Sequence, residues 1–221
     1  MRLSPAIGFL GGSFDPPHAG HLALAHAARA ALGLAEVRLL PAAQPWQKGP
    51  ITGAAHRAHM VELAIHGEAG LALDMHEIER GGVSYTVDTL SALRQSLGDT
   101  VTLVWIIGGD QMERLDTWHR WERLLDLAHL AVARRNDRIL QLNDRLQTFF
   151  NAHWARPQAA MDRTHGHVIE VDMPAVDVSA TGLRALLTRA DAALTSDERR
   201  MLTSALHPTV LDYIRAHSLY C

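Results

Sequence analysis

Short β-like runs, some of them continuously apolar, alternate along this chain with longer stretches of helical periodicity, and that alternation restricts the fold more than any other feature. The runs cover 7–10, 37–40, 71–78, 101–107, 130–133 and 168–171, and "VTLVWII" at 101–107 is the most continuous. A strand that is apolar at successive positions is covered on both faces, and strands separated by helices pair in parallel. Helices are predicted over 19–32, stopped by Gly33; 54–66; 86–97, capped by Ser84 or Thr86 and stopped by Gly98; and 118–127. One more starts near Thr181, and one or two cover 201–217. The polar stretch 136–166 reads as a partly helical surface excursion. The expectation is an α/β fold, a Rossmann-like doubly wound parallel sheet with helices on both faces. It forms a single domain over 1–221, with the C-terminal helical part from about 180 packed on that same domain.

In such sheets ligands bind beyond the carboxyl ends of the strands. The conspicuous polar motifs fall there: "GGSFDPPHAGH" (11–21) after the first strand, "GGD" (108–110) after the fourth, and "VSATGLR" (178–184) before a late helix. A net charge of −3 argues against a general nucleic-acid coat but leaves room for a small anionic ligand. The single cysteine, Cys221, rules out a disulfide framework within the chain, and no apolar run reaches membrane-spanning length. The expected setting is cytoplasmic, without a membrane or nucleic-acid partner; homo-oligomerisation stays open.

Gly11 and Gly12 remove two Cβ atoms where a strand turns into a helix, which lets a ligand approach the backbone. The helix that follows offers unpaired N–H groups and a positive dipole end, suited to phosphate. His18 and His21, three apart, share one face and can donate to phosphate oxygens. The stretch is neither the G-x-G-x-x-G fingerprint nor a P-loop. A purely structural turn, or a metal site with Asp15 as a weak third ligand, remains an alternative at this point.

"VSATGLR" repeats the logic: Ser179 or Thr181 caps a helix, and Arg184 lies on the same side of its first turn. Asp110 can accept from ribose hydroxyls or cap the next helix. Trp118 and Trp121 are core residues or, for one of them, a stacking platform. Lys48 and Arg57 read either as solvated side chains or as phosphate ligands.

Taken in order, these motifs resemble the bacterial nicotinate-mononucleotide adenylyltransferases, within the nucleotidyltransferases that carry an H-x-G-H motif. The resemblance spans nearly the whole chain: Gly11-Gly12-Ser13-Phe14-Asp15-Pro16, His18-Ala19-Gly20-His21, Lys48, "HRAHMVELAI", "SYTVDTL", "IIGGD", "TWHRW", "VSATGLR" and the closing "HPTVLDYIRAHSLY". The chain departs from the family's usual residues at Pro17, Ala180 and Leu183, in the loop before Lys48, and after Arg135. The resemblance implies transfer of AMP from ATP to nicotinate mononucleotide, giving the dinucleotide and pyrophosphate, with Mg²⁺. It implies that ATP meets Gly11, Gly12, Ser13, Phe14, His18, His21, Gly108, Asp110, Ser179, Thr181 and Arg184. The mononucleotide would meet Asp15, Lys48, Ser84, Tyr85, Thr86, Trp118 and Arg135. His18, His21, Lys48 and Arg184 would carry catalysis, with no protein ligands to a resident metal. Rivals are a nicotinamide-mononucleotide, pantetheine-phosphate or cytidylyl transferase on the same fold, or a nucleotide sensor without chemistry.

Overall fold

A computed structural model describes residues 5–45, 51–135, 139–174 and 176–220. The first half runs β1 (Ile7–Gly12), α1 (Ala19–Leu32), β2 (Glu36–Pro41), β3 (Gln44–Pro45), α2 (Ala54–Ala64), β4 (Leu71–Leu73), α3 (His76–Arg80), β5 (Val83–Ser84) and α4 (Thr86–Leu97). Then come β6 (Leu103–Gly108), α5 (Gly109–Met112), two 3-10 turns (Leu115–Thr117 and Trp121–Asp126) and β7 (His129–Arg135). The remainder is α6 (Asp144–Phe150), α7 (Pro157–Ala160), β8 (Val168–Met173), α8 (Ala180–Leu187), α9 (Ser196–Ala205) and α10 (Pro208–Ala216).

The main sheet has six strands in the order β4-β2-β1-β6-β7-β8, and every pairing is parallel. Strand order reverses between β1 and β6, so the ligand crevice of such a sheet lies beyond Gly12 and Gly108. Period-2 alternation sorts the strand residues onto two buried faces. Phe9, Leu40, Leu103, Trp105, Ile107, Leu130 and Val132 pack with Val87, Leu90 and Leu93 of α4. Leu10, Val37, Leu39, Val104, Ile106, Ala131 and Ile169 pack with Leu24, Ala25, Ala28 and Leu32 of α1. Burial on both faces is why the central strands β1, β6 and β7 read as continuous apolar runs, and each fully buried Leu or Ile contributes roughly 1.5–3 kcal/mol. A third cluster joins Met60 and Ala64 of α2 to Leu183, Leu202, Val210, Leu211 and Ile214, so α8–α10 pack together on α2. No helix among the described residues is long and apolar enough to cross a membrane.

Several of the expected elements need correction: the strand expected from 101 starts at Leu103, and the closing helices expected from 201 start at Ser196. The run 71–78 is strand only over Leu71–Leu73 and then turns into α3. The 118–127 stretch is no α-helix but a 3-10 turn over Trp121–Asp126 that buries Trp121, Leu124 and Leu125. The helix expected over 54–66 ends at Ala64. A second, two-stranded parallel sheet of β3 and β5 had no expectation at all. The 136–166 excursion carries α6 and α7, and the closing helical region resolves into α9 and α10.

His129, at the start of β7, is fully buried. Its Nδ1 accepts the backbone N–H of His167 at 3.1 Å while Nε2 lies 3.0 Å from the carbonyl of Arg163, so the neutral ring with its proton on Nε2 satisfies both. Burial, above all, pushes its pKa down to about 4 from 6.5, with nearby His167, His165 and Arg94 adding to the effect against the Arg163 contact. A depressed histidine stabilises the fold fully above the unfolded value and progressively less as pH falls towards the folded one. Stability is therefore expected to fall by about 3 kcal/mol between pH 7 and pH 4 from this group alone. Urea unfolding across that range should show the slope, and His129→Gln should reduce it by about one proton's worth.

Candidate active site

The stretch 11–21 leaves β1 and enters α1. Gly11 and Gly12 belong to the strand and neither has a positive φ. Close approach by a neighbour explains Gly11: a Cβ there would sit 2.5 Å from the indole of Trp105 on β6. Sequence reasoning had that approach coming from a ligand, whereas Trp105 takes the space. Phe14 follows in the left-handed region, φ 49, and is fully buried, so packing rather than backbone preference fixes the turn.

His18 is the N-cap of α1, with extended backbone, and its N–H donates to Nδ1 of His21 at 3.2 Å. The two imidazoles stack with centroids 3.8 Å apart and planes 28° from parallel, and Phe14 meets His21 edge-on at 4.9 Å. Across from them, Ser179 caps α8 by accepting the N–H of Gly182 at 3.1 Å. The two helix starts are neighbours, because a Cβ on Gly20 of α1 would lie 3.1 Å from His18 and 3.2 Å from Val178. Arg184 ties them together. Its Nη1 donates to the Asp15 carbonyl at 2.7 Å and its Nη2 to the Thr181 hydroxyl at 3.3 Å. His18, His21, Ser179, Thr181 and Arg184 thus gather over the end of β1.

Arg57 is neither of the things its sequence context suggested. It is fully buried in α2. Its guanidinium donates to the carbonyls of Thr52 (2.8 Å), Ser13 (2.7 Å), Ala42 (2.6 Å) and Ala43 (3.1 Å). Burial lowers its pKa, and Asp15 leads the opposing charges. This staple fixes the loops after β1 and β2 to each other.

Gly108 and Asp110 close β6 and open α5; they line a small pocket with Gly109, Glu113, Ala133, Arg134 and Leu140. Ser84 is not a helix cap, and neither is Thr86: the N-cap of α4 is Tyr85, whose side chain makes no capping bond. Ser84 instead accepts the N–H of Ala43 at 3.0 Å and bonds to Glu77. Glu77 also accepts from the Thr89 hydroxyl at 2.7 Å; burial raises its pKa. Trp118 packs half-buried on the sheet core, and its indole N–H is buried with no hydrogen-bond partner among the described residues. The neighbouring His119 lies against Tyr85 with centroids 4.6 Å apart, so the 84–86 and 118–119 segments form one wall. Lys48 lies outside the described residues, and Arg135 is placed by its backbone at the end of β7.

Sequence reasoning missed Tyr220. Its hydroxyl donates to Oδ1 of Asp15 at 2.7 Å from 205 positions away. Nothing in the local sequence signals that reach.

The profile of the cytidylyltransferase-like family matches residues 9–186. A protein of Laribacter hongkongensis named a probable nicotinate-nucleotide adenylyltransferase is 44% identical over 97% of this chain and 94% of its own length. One of the same name from Aeromonas hydrophila is 41% identical over 99% and 98%. Among solved structures, the Plasmodium falciparum nicotinic acid mononucleotide adenylyltransferase complexed with NaAD superposes with a TM-score of 0.74 at 18% identity, covering 98% of each chain. That likeness is one of fold.

Proposed function

This chain belongs to the cytidylyltransferase-like family, on the branch of its nicotinate-nucleotide adenylyltransferase relatives, and from there we propose that it moves AMP from ATP to nicotinate mononucleotide. The products are nicotinate adenine dinucleotide and pyrophosphate, in the biosynthesis of NAD. One observation supports this above the others: two helix N-termini, those of α1 and α8, meet at the end of β1, and Arg184 bridges them through Asp15. Such a pair suits a polyphosphate better than a single phosphate.

The mononucleotide phosphate is already an oxyanion and attacks the α-phosphorus of ATP in line, so no protein nucleophile is needed. Catalysis is then alignment plus stabilisation of charge on the leaving pyrophosphate. His18, His21 and the first turn of α1 face one side of the triphosphate. Ser179, Thr181 and Arg184 face the other. Gly108 and Asp110 hold the adenosine, and the wall of Ser84, Tyr85, Thr86 and Trp118 receives the pyridine ring; the family resemblance assigns Lys48 and Arg135 to the mononucleotide as well. Gly11, Gly12, Ser13 and Phe14 shape the floor. Nucleotidyltransferases of this kind work with a divalent cation, here Mg²⁺. Among the described residues no group of three or more His, Cys, Asp or Glu is arranged to hold one. Such a cation would arrive with ATP and take triphosphate oxygens and water as ligands, in keeping with the hard, largely hydrated coordination of Mg²⁺. When bound it neutralises charge on the leaving group.

A pyrophosphate-release assay with ATP and a panel of acceptors tests the reading. Turnover is expected with nicotinate mononucleotide; turnover only with phosphopantetheine, or with CTP in place of ATP, would move the chain to another branch. In the same assay Arg184→Ala should weaken both the apparent ATP affinity and the rate, and Arg184→Lys should recover them only in part, because an ammonium cannot make a planar two-point contact. An alanine variant that keeps both would remove Arg184 from the clamp.

A further inference from the structure

Asp15 sits where the two phosphate-binding helices are joined, and every polar atom it offers as an acceptor is engaged. It is 2% exposed. Its carbonyl takes the guanidinium of Arg184 at 2.7 Å, Oδ2 accepts the backbone N–H of Thr52 at 3.3 Å, and Oδ1 accepts the hydroxyl of Tyr220 at 2.7 Å. The last donor comes from the far end of the chain and is held firmly. The helix before it, α10, is tied to α2 by His56 and Tyr213, whose ring nitrogen and hydroxyl are 2.8 Å apart. Beyond α10 the chain folds back, with the N–H of Ser218 on Arg215 (3.2 Å) and that of Leu219 on Ile214 (3.0 Å). Ser218 and Tyr220 adopt left-handed backbone, φ 48 and 69, a conformation that persists only where surrounding contacts over-determine it. Leu219 and Tyr220 pack on the same apolar cluster as α2 and α8–α10. The phenol is kept protonated, chiefly by burial and then by Asp15, so it stays a donor throughout the working pH range.

We propose that Tyr220 is a positioning residue for the transfer: by holding Asp15 it fixes the 13–18 loop, and through that loop the relative placement of the α1 and α8 N-termini. The C-terminal tail is on this view a working part of the active site. The inference rests on the adenylyl-transfer reading for its catalytic consequence, but not for its structural one. Without the hydroxyl, Oδ1 of Asp15 keeps its burial and loses its donor, and the loop relaxes to recover one. The helix starts then drift by a fraction of an ångström, which costs rate more than binding.

Tyr220→Phe removes only the hydroxyl and tests this with three measurements. The kcat is expected to fall roughly tenfold with both KM values within about threefold of wild type, as for a misaligned rather than an unbound substrate. Amide hydrogen exchange in a peptide covering 11–21 should quicken roughly tenfold while exchange in the sheet core is unchanged. The melting temperature should shift by only a few degrees, as for loss of one hydrogen bond. A lower melting temperature with unchanged kcat per folded molecule would make Tyr220 a structural contact only and overturn the proposal, as would unchanged exchange over 11–21. If the wild-type protein releases no pyrophosphate with any mononucleotide, the functional reading falls, and the exchange measurement still decides whether Tyr220 positions the loop.

Discussion

Replacing His21 by alanine is expected to slow turnover about 100- to 1000-fold, the usual consequence of losing one donor to developing charge. The geometry says which donor. Nδ1 of His21 accepts the backbone N–H of His18, so the neutral ring carries its proton on Nε2, an assignment that follows from the hydrogen-bond pattern. Stacking on His18 and the edge of Phe14 fix the ring plane. A pre-oriented N–H at a helix start stabilises a charge that grows only in the transition state, so its loss appears in kcat. The stability cost is smaller, about 1 kcal/mol for the lost cap. His21→Asn separates the two roles, because the amide oxygen can stand where Nδ1 accepts while nothing replaces the Nε2 donor. It should fold as stably as wild type and remain slow. His18→Ala should show a weaker version of the same effect. Turnover of a folded His21→Ala protein within threefold of wild type would remove the imidazole from the chemistry.

Arg57→Ala is expected to lower stability by about 3–5 kcal/mol, because several buried carbonyls lose their donor together. Four backbone carbonyls, those of Ser13, Ala42, Ala43 and Thr52, would lose their donor at once. For a chain of this size that is a fall of roughly 10 °C or more in melting temperature. Arg57→Lys should rescue little, since a compact ammonium cannot reach carbonyls spread across a planar fork. Thermal unfolding of the two variants beside wild type is the check, and a loss of under 1 kcal/mol for the alanine variant would show that water replaces the staple.

Arg57 also marks the boundary of what the sequence discloses. Its neighbours in "HRAHMVELAI" say only that it lies on a helix; three loops from different parts of the chain converge on it, and no local pattern encodes that convergence. Tyr220 is a harder case, a tyrosine whose partner is Asp15. By contrast, the main sheet was legible, because burial on both faces writes itself as continuous apolar runs in β1, β6 and β7, while β8 at the edge still carries Val168, Ile169 and Val171 between charged residues. The α1 helix was legible to the residue, ending at Gly33 in the left-handed conformation that glycine favours. Two-residue strands such as β3 and β5 leave no periodicity to detect. The Trp121–Asp126 turn read as α-helix because the spacings of 3-10 and α geometry are indistinguishable over so few residues. In the candidate site, His18, His21, Ser179 and Thr181 stand at helix starts that follow strands, which is why local sequence pointed to them, whereas Arg184 lies in the last turn of α8 and reaches back to Asp15. Ser84 was expected to cap α4; it braces the loop after β2 and Glu77 instead.

Choice of acceptor turns on the start of α4. No Arg or Lys occurs in the segment 84–86, and no side chain caps the helix there. Main-chain N–H groups and the positive end of the helix dipole would then meet the pyridine substituent. They suit a carboxylate and oppose the N–H₂ of an amide donor to donor. Trp118, with its buried indole N–H, closes the same wall. Parallel kcat/KM measurements on nicotinate mononucleotide and nicotinamide mononucleotide, with ATP saturating, test this most directly. The expected result is a strong preference for the nicotinate form that shrinks in Trp118→Ala. Equal values, or a preference for the amide, would contradict both the assignment of this pocket and the branch of the family in which the chain has been placed.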